Sequence, residues 1–352
     1  MAGRAILRVE HPRQYLGTRK ENLNVIEVGR FNDYEEPMTA WAVHSGDEIP
    51  PNCKIPHLHP PTEEQLPLSL RTERTSGGVV NQTSAVERIL TWAGATEYSL
   101  KDIDVVAGRN ALRRVSQTPY YRGEKVTWSA NLARHQDTLF LELTKAYGWR
   151  ETTFCPLNYE IAAWGTVFED IMTTGGKGTP GYDCRDTNIR VPRLIELGSI
   201  KTLTNGKVHS QTPGGQQDVI SNYVDVKLRE EYHETARQSH IEFMDENRKR
   251  DTWTQCALLG IETVFCGERT KDGTLIKLEE IWTEHLEHRT TLWKPEGVLS
   301  FLENLLVWLK DNTENGLSYT LNNNGRSEIV LEPAEHGDLM QIVLSSTQLS
   351  YE

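Results

Sequence analysis

Trp164-Gly165-Thr166-Val167-Phe168-Glu169 opens the stretch on which the reading of the fold turns, and Tyr223-Val224-Asp225-Val226-Lys227 closes it. From Tyr159 to Thr173 the apolar positions Ile161, Trp164, Phe168 and Ile171 share one side, which predicts a helix with Glu169 beside its apolar stripe. Val219 to Leu228 reads as a strand, and alternation puts Asp225 and Lys227 on the same face. An acid followed much later by Asp-x-Lys at the end of a β-rich run is a layout that metal-dependent nucleases use. The carboxylates hold a divalent cation and the lysine orients or activates the attacking water. For the short Asp-Val-Lys motif alone, a solvated ion pair on a strand edge is the plainer explanation.

Working outward, the chain of 352 residues is 37% hydrophobic and 25% charged, as soluble globular proteins are. A net charge of −12 excludes a general electrostatic grip on nucleic acid, so any RNA contact needs a local basic pocket. The five cysteines form no Cys-x-x-Cys pair, which fits a reducing compartment and not a zinc ribbon or a disulfide framework. No apolar run approaches the ~20 residues of a membrane span, and residues 1–30 lack the apolar core of a signal peptide. The expectation is a cytosolic or nuclear protein without a membrane partner.

Residues 1–80 read as an irregular N-terminal region packed on the core, with strand-like pieces at Val25–Val28 and Thr39–Val43; residues 81–352 read as one domain. Ser84 caps a helix through Ala93, and Asp104 to Val115 is an apolar strip studded with arginines. Lys125–Ala133 and Thr138–Thr144 predict a hairpin around His135-Gln136-Asp137. Strands are expected at Arg193–Ile200 and Lys201–His209, and a mostly helical, charged segment from Glu230 to Gly260. Ile261–Gly267 and Thr274–Trp282 form a second hairpin about Lys271-Asp272-Gly273, Gly297–Leu309 an amphipathic helix, and Leu317–Leu321 and Glu328–Leu331 the last strands. Gly175-Gly176-Lys177-Gly178 lacks phosphate-loop spacing, and neither His57-Leu58-His59 nor His285-Leu286-Glu287-His288 is a convincing metal motif. The order predicts a mixed α+β fold with central mixed β-sheets flanked by helices.

Four segments, in order, resemble the DXO/Rai family of decapping nucleases, whose fold is of the PD-(D/E)XK nuclease type. Gly108-Arg109-Asn110-Ala111-Leu112 resembles its arginine motif, and Trp164 to Glu169 its G-x-x-F-E motif. Tyr223-Val224-Asp225-Val226-Lys227 stands where the family has Y-V-E-L-K, and Trp253-Thr254-Gln255-Cys256-Ala257-Leu258-Leu259-Gly260 resembles its W-x-Q-x-x-L-L-G helix. The resemblance implies that Glu169 and Asp225 ligate magnesium or manganese and that Lys227 positions the water. It further implies that Arg109 and Gln255 hold the RNA 5′ end. The implied chemistry is hydrolysis of incompletely or aberrantly capped RNA. One branch of the family also binds a large nuclear 5′→3′ exoribonuclease, which implies the nucleus; DNA is not an expected partner.

One departure bears on all of this. The family carries E-x-D on the strand between the outer motifs, and the equivalent strand here reads Gly206-Lys207-Val208-His209. Two acidic positions become Lys207 and His209, so a cation's ligands reduce to Glu169, Asp225 and His209, unless Glu196 or Asp218 supplies a carboxylate by register slip. Three readings stay open: a working decapping hydrolase, a catalytically silent member that binds RNA ends or stabilises an exoribonuclease, and chemistry in which Lys207 itself replaces the metal. Structural explanations stand beside them. Arg109 can pair with a structural acid, Gln255 can be a core amide, and Lys207 and His209 can be surface residues.

Overall fold

The computed structural model describes residues 4–15, 23–32, 40–42, 48–49, 53–71, 84–121, 127–147, 156–174, 189–212, 222–230, 246–335 (apart from 289, 291, 324 and 326) and 337–347. Their strands form two mixed sheets, of eleven and five strands. The centre of the large sheet is Val105–Gly108, which runs parallel to both Ile200–Lys207 and Thr138–Tyr147. Hairpins extend it on both sides, to Ala5–Arg8 at one edge and Ala40–Ala42 at the other. The small sheet is ordered Ser210–Gln211, Tyr223–Glu230, Thr263–Arg269, Thr274–Trp282 and Leu68–Ser69, with its second and third strands parallel.

Local sequence explains most elements. The Ser84 hydroxyl accepts from the Glu87 N–H at 2.9 Å and caps the helix Ala85–Ala95. Thr127–His135 and Thr138–Tyr147 turn through Gln136 and Asp137, both at positive φ (47° and 67°), a backbone that suits a tight hairpin. Gly273, at φ 84°, makes the second expected hairpin turn. The break expected between residues 200 and 201 lies earlier, at Gly198 and Ser199, with Gly198 at φ 58°. Leu197 and Ile200 keep the apolar pattern running through the turn, so periodicity misplaced it. The arginine-studded strip divides into the strand Val105–Gly108 and the helix Arg109–Ser116. Within the charged segment the described helix is Glu246–Ala257; residues 231–245 and the tract Gly175–Gly178 lie outside the described residues.

The N-terminal region is more regular than its composition suggests. Ala5–Arg8 pairs with Glu328–Leu331, Leu23–Glu27 with Arg193–Leu197, and Gly29–Asn32 joins the same strand further along. A buried cluster locks this region in place. Glu27 accepts from Arg30 Nε at 2.7 Å, from Arg193 Nη1 at 2.9 Å and from the Tyr223 hydroxyl at 2.6 Å. One carboxylate thus ties an N-terminal strand to both sheets. Buried charge is tolerable only when paired in this way.

Strand alternation divides the core. Val105 and Ala107 face a core shared with the helices Arg109–Ser116, Glu246–Ala257 and Pro295–Asp311. Val106 and Leu203 face the opposite side, under the helices Ala85–Ala95 and Asp338–Thr347. On the outer face of the small sheet, Val224 and Val226 pack against Trp164, Phe168 and Met172 of the helix Pro156–Thr174. That contact is close: a Cβ on Gly267 would lie 2.5 Å from the Phe168 ring. Among the described residues no helix is long and apolar enough to cross a membrane.

Two stability predictions follow from this packing. Phe168→Ala opens a cavity over Gly267 and is expected to cost about 3–5 kcal/mol. Glu27→Ala strands two buried guanidiniums and is expected to cost about 3–5 kcal/mol. Both are read as lowered midpoints in denaturant unfolding.

Candidate functional site

The site forms where the chain leaves one sheet for the other. Lys207 ends the strand Ile200–Lys207, and Ser210 already pairs with Val224 in the small sheet. Val208 is buried, and His209 crosses the gap beside it. Because Val224 and Val226 face the helix Pro156–Thr174, Asp225 and Lys227 face inward, toward the helix Glu246–Ala257. Glu169, next to Phe168, enters from the helix that clamps the small sheet.

Four contacts join these residues. Lys207 Nζ donates to Glu169 Oε2 at 2.5 Å, and Lys227 Nζ lies 2.8 Å from Asp225 Oδ2. His209 stands between the acids, with Nε2 3.1 Å from Glu169 Oε1 and Nδ1 2.7 Å from Asp225 Oδ1. The second is an ionic contact at short range and not a well-aligned hydrogen bond. Asp225, with a side chain only 1% exposed, also accepts from the Val226 N–H at 3.0 Å and lies 3.8 Å from the Cys256 thiol. Lys207, Glu169 and Lys227 are each just under a third exposed, so the network has a wet side.

Arg109 borders the site without joining these contacts. Arg109 opens its helix straight after the central strand, and Gly206 makes room for it: a Cβ there would lie 2.7 Å from Leu259 and 3.1 Å from Arg109 Cδ. Arg109 Nη1 is buried without a hydrogen-bond partner among the described residues, and the guanidinium adds positive potential at Asp225. Gln255 is half-buried on the helix that carries Cys256. Cys256 was not legible as a site residue, because nothing in a lone cysteine's sequence context shows that it faces an acid. Glu196 accepts from Asn24 on the exposed face of the large sheet, away from the network, and Asp218 lies outside the described residues.

The protonation states follow from the contacts. Burial pushes the Glu169 carboxyl up, but His209 and Lys207 outweigh it and bring it down to about 2. Asp225 falls well below the usual carboxylate range, with Lys227, His209 and Arg109 overcoming its desolvation. For His209, burial favours the neutral ring, yet Glu169 and Asp225 prevail and raise its pKa.

The divalent ion that the resemblance implies does not fit this arrangement. Three cationic side chains answer two carboxylates, so the site is compensated before an ion arrives. A dication held about 4 Å from a lysine ammonium is repelled by roughly 8 kcal/mol at an effective dielectric of ~20. His209 is not placed as a third ligand beside the acids. Its ring nitrogens point in diverging directions, one to each acid, so the imidazole occupies the gap itself. Among the described residues no group of three or more His, Cys, Asp and Glu side chains converges as metal ligands do.

The comparisons with known proteins agree with the fold. A family model described as RAI1 like PD-(D/E)XK nuclease matches residues 52–344. The decapping nuclease din1 of Schizosaccharomyces pombe is 26% identical in an alignment of 162 residues that covers 41% of this chain and 46% of that protein. The decapping nuclease RAI1 of Emericella nidulans is 25% identical over 156 residues, 41% of this chain and 42% of its own length. The chain thus spans under half the length of these curated relatives. Rai1 of Scheffersomyces stipitis, solved in complex with (3'-NADP)+ and calcium ion, superposes with a TM-score of 0.70 at 14% identity, covering 99% of this chain and 98% of that one. Rai1 of Candida albicans in complex with pU5-Mn2+ gives 0.64 at 14% identity, covering 98% and 99%.

The network gives a pH prediction. The depressed carboxylates contribute stability above their unfolded values of about 4, lost as the pH falls toward 2. The raised histidine contributes stability that is complete below about pH 6.5 and lost as the pH rises through its folded value. The stability difference between the native chain and His209→Gln is therefore expected to be largest near pH 5 to 6 and to shrink above neutrality. Chemical unfolding across a pH series measures it.

Proposed function

The chain belongs to the RAI1-like PD-(D/E)XK nuclease family, and from that premise we propose a protein that binds RNA 5′ ends without metal-dependent hydrolysis. One observation carries the reading: the carboxylates that would hold a metal are already paired with Lys207, His209 and Lys227. The two lysines keep a wet side, and with Arg109 they offer the positive potential that a terminal phosphate needs. The C. albicans relative solved with pU5-Mn2+ supports an RNA 5′ end as the ligand. A silent member is also suited to act beside a 5′→3′ exoribonuclease, a role that would place it in the nucleus.

The second reading is a working decapping hydrolase, and the decapping nucleases among its relatives favour it. In that case magnesium or manganese must displace Lys207 and His209 from the acids, and Lys227 would position the water. Calorimetric titration separates the two. The native chain is expected to bind neither manganese nor magnesium at millimolar concentration and to leave incompletely capped RNA intact. Restoring two acids with Lys207→Glu and His209→Asp is expected to create manganese binding. Manganese binding by the native chain that vanishes on Glu169→Ala with Asp225→Ala would overturn the silent reading in favour of the hydrolase.

A further inference from the structure

Beyond the compensated acids, the helices Arg109–Ser116 and Glu246–Ala257 enclose a cavity of about 120 Å³ lined by Arg113, Arg114, Arg248 and Arg250. In a chain of net charge −12, four guanidiniums here face one lining carboxylate, Asp251. That acid is already engaged, by an ion pair with Arg113 and by Gln117 Nε2 at 3.1 Å. Arg250 is buried, its Nε donating to Gln117 Oε1 at 3.1 Å and its guanidinium 4.8 Å from the centre of the Tyr120 ring. The wall is therefore built and rigid. Arg114 and Arg248 complete it differently. Arg114 Nε is buried without an acceptor among the described residues, and its Nη1 reaches only the Tyr121 hydroxyl, at 3.5 Å. Arg248 lies exposed at the rim.

We propose that this cavity takes a backbone phosphate of the same RNA strand, downstream of the nucleotide held at the Glu169–Asp225 network. The inference rests on the RNA-end reading and extends it to the strand's path. Its geometric basis is register along two helices. Arg113 lies four residues after Arg109 and Asp251 four before Gln255, so each pair shares a helix face one turn apart, about 5.4 Å. The Arg113–Asp251 ion pair joins the helices there, and the cavity opens one turn from the residues expected to hold the 5′ end. Planar guanidiniums match phosphate oxygens, and a partly enclosed cavity strengthens the pairing. A cluster serving only to pack the two helices would need Arg113 and Arg250; it would leave the buried Arg114 Nε without an acceptor among the described residues.

The test compares a 5′-phosphorylated pentauridylate with 5′-phosphorylated uridine, binding each over a series of potassium chloride concentrations. Arg114→Gln and Arg248→Gln are each expected to weaken the pentamer roughly tenfold. Each is expected to lower the slope of log K against log salt by about 0.7, the value of one single-strand phosphate contact. Binding of the mononucleotide should not change. Unaltered pentamer affinity and slope in a folded Arg248→Gln, an exposed position that tolerates substitution, overturns the proposal while RNA-end binding stands. Equal losses for pentamer and mononucleotide overturn it too, because they put these arginines at the terminal phosphate. If the native chain binds neither ligand, the RNA-end reading itself fails, and this inference with it.

Discussion

Asp225 is almost wholly buried on the inner face of the small sheet, and the structure around it is arranged to make that carboxylate tolerable. Lys227, His209, the Val226 N–H and the Cys256 thiol all surround it, and Arg109 adds its field from the first turn of a neighbouring helix. Glu169 shares His209 with it and takes Lys207 for itself. The constraint reaches into the fold, since His209, Cys256 and Arg109 come from three other parts of the chain while Lys227 and Val226 share the strand of Asp225. The crossover residue His209 lies between the large sheet and the small one, and Glu169 couples the outer helix to it and to Lys207 of the large sheet. Losing one member leaves a neighbour charged and unpaired, which is why such sites resist piecemeal change.

The Glu27 cluster solves the same problem elsewhere with other means. There one acid holds two arginines and a tyrosine, and the Arg193 guanidinium lies 5.0 Å from the centre of the Tyr223 ring. That site is sealed, whereas the Glu169–Asp225 network keeps two lysines partly in water. The contrast separates a structural ionic cluster from one able to meet a ligand. At the second site the acids are already answered by protein cations, Lys207, His209 and Lys227. A hard divalent ion must first displace those cations.

Much of the fold was legible because its signals are local. Ser84 before an apolar-periodic run, the Gln136-Asp137 turn and Gly273 all act through their own backbone neighbours. Of the N-terminal strands, the pieces expected at Val25–Val28 and Thr39–Val43 overlap Leu23–Glu27 and Ala40–Ala42, whereas Ala5–Arg8 was not legible, because it is made by a partner far away in the chain. Periodicity also misplaced the turn at Gly198, where the apolar alternation runs on without a break.

For the site, the sequence by itself determined the parts: an acid on an amphipathic helix, Asp225 and Lys227 on one strand face, and a lysine and a histidine where the resemblance leads one to expect acids. It could not say whether those two residues point into solvent or into the gap between the acids. Only the tertiary structure decided that, because the strand Ile200–Lys207 ends at the seam where Ser210 joins the second sheet. The same holds for the arginine cavity. Arg113 and Arg114 lie far in sequence from Arg248 and Arg250, and only the packing of two helices brings their charges to one place.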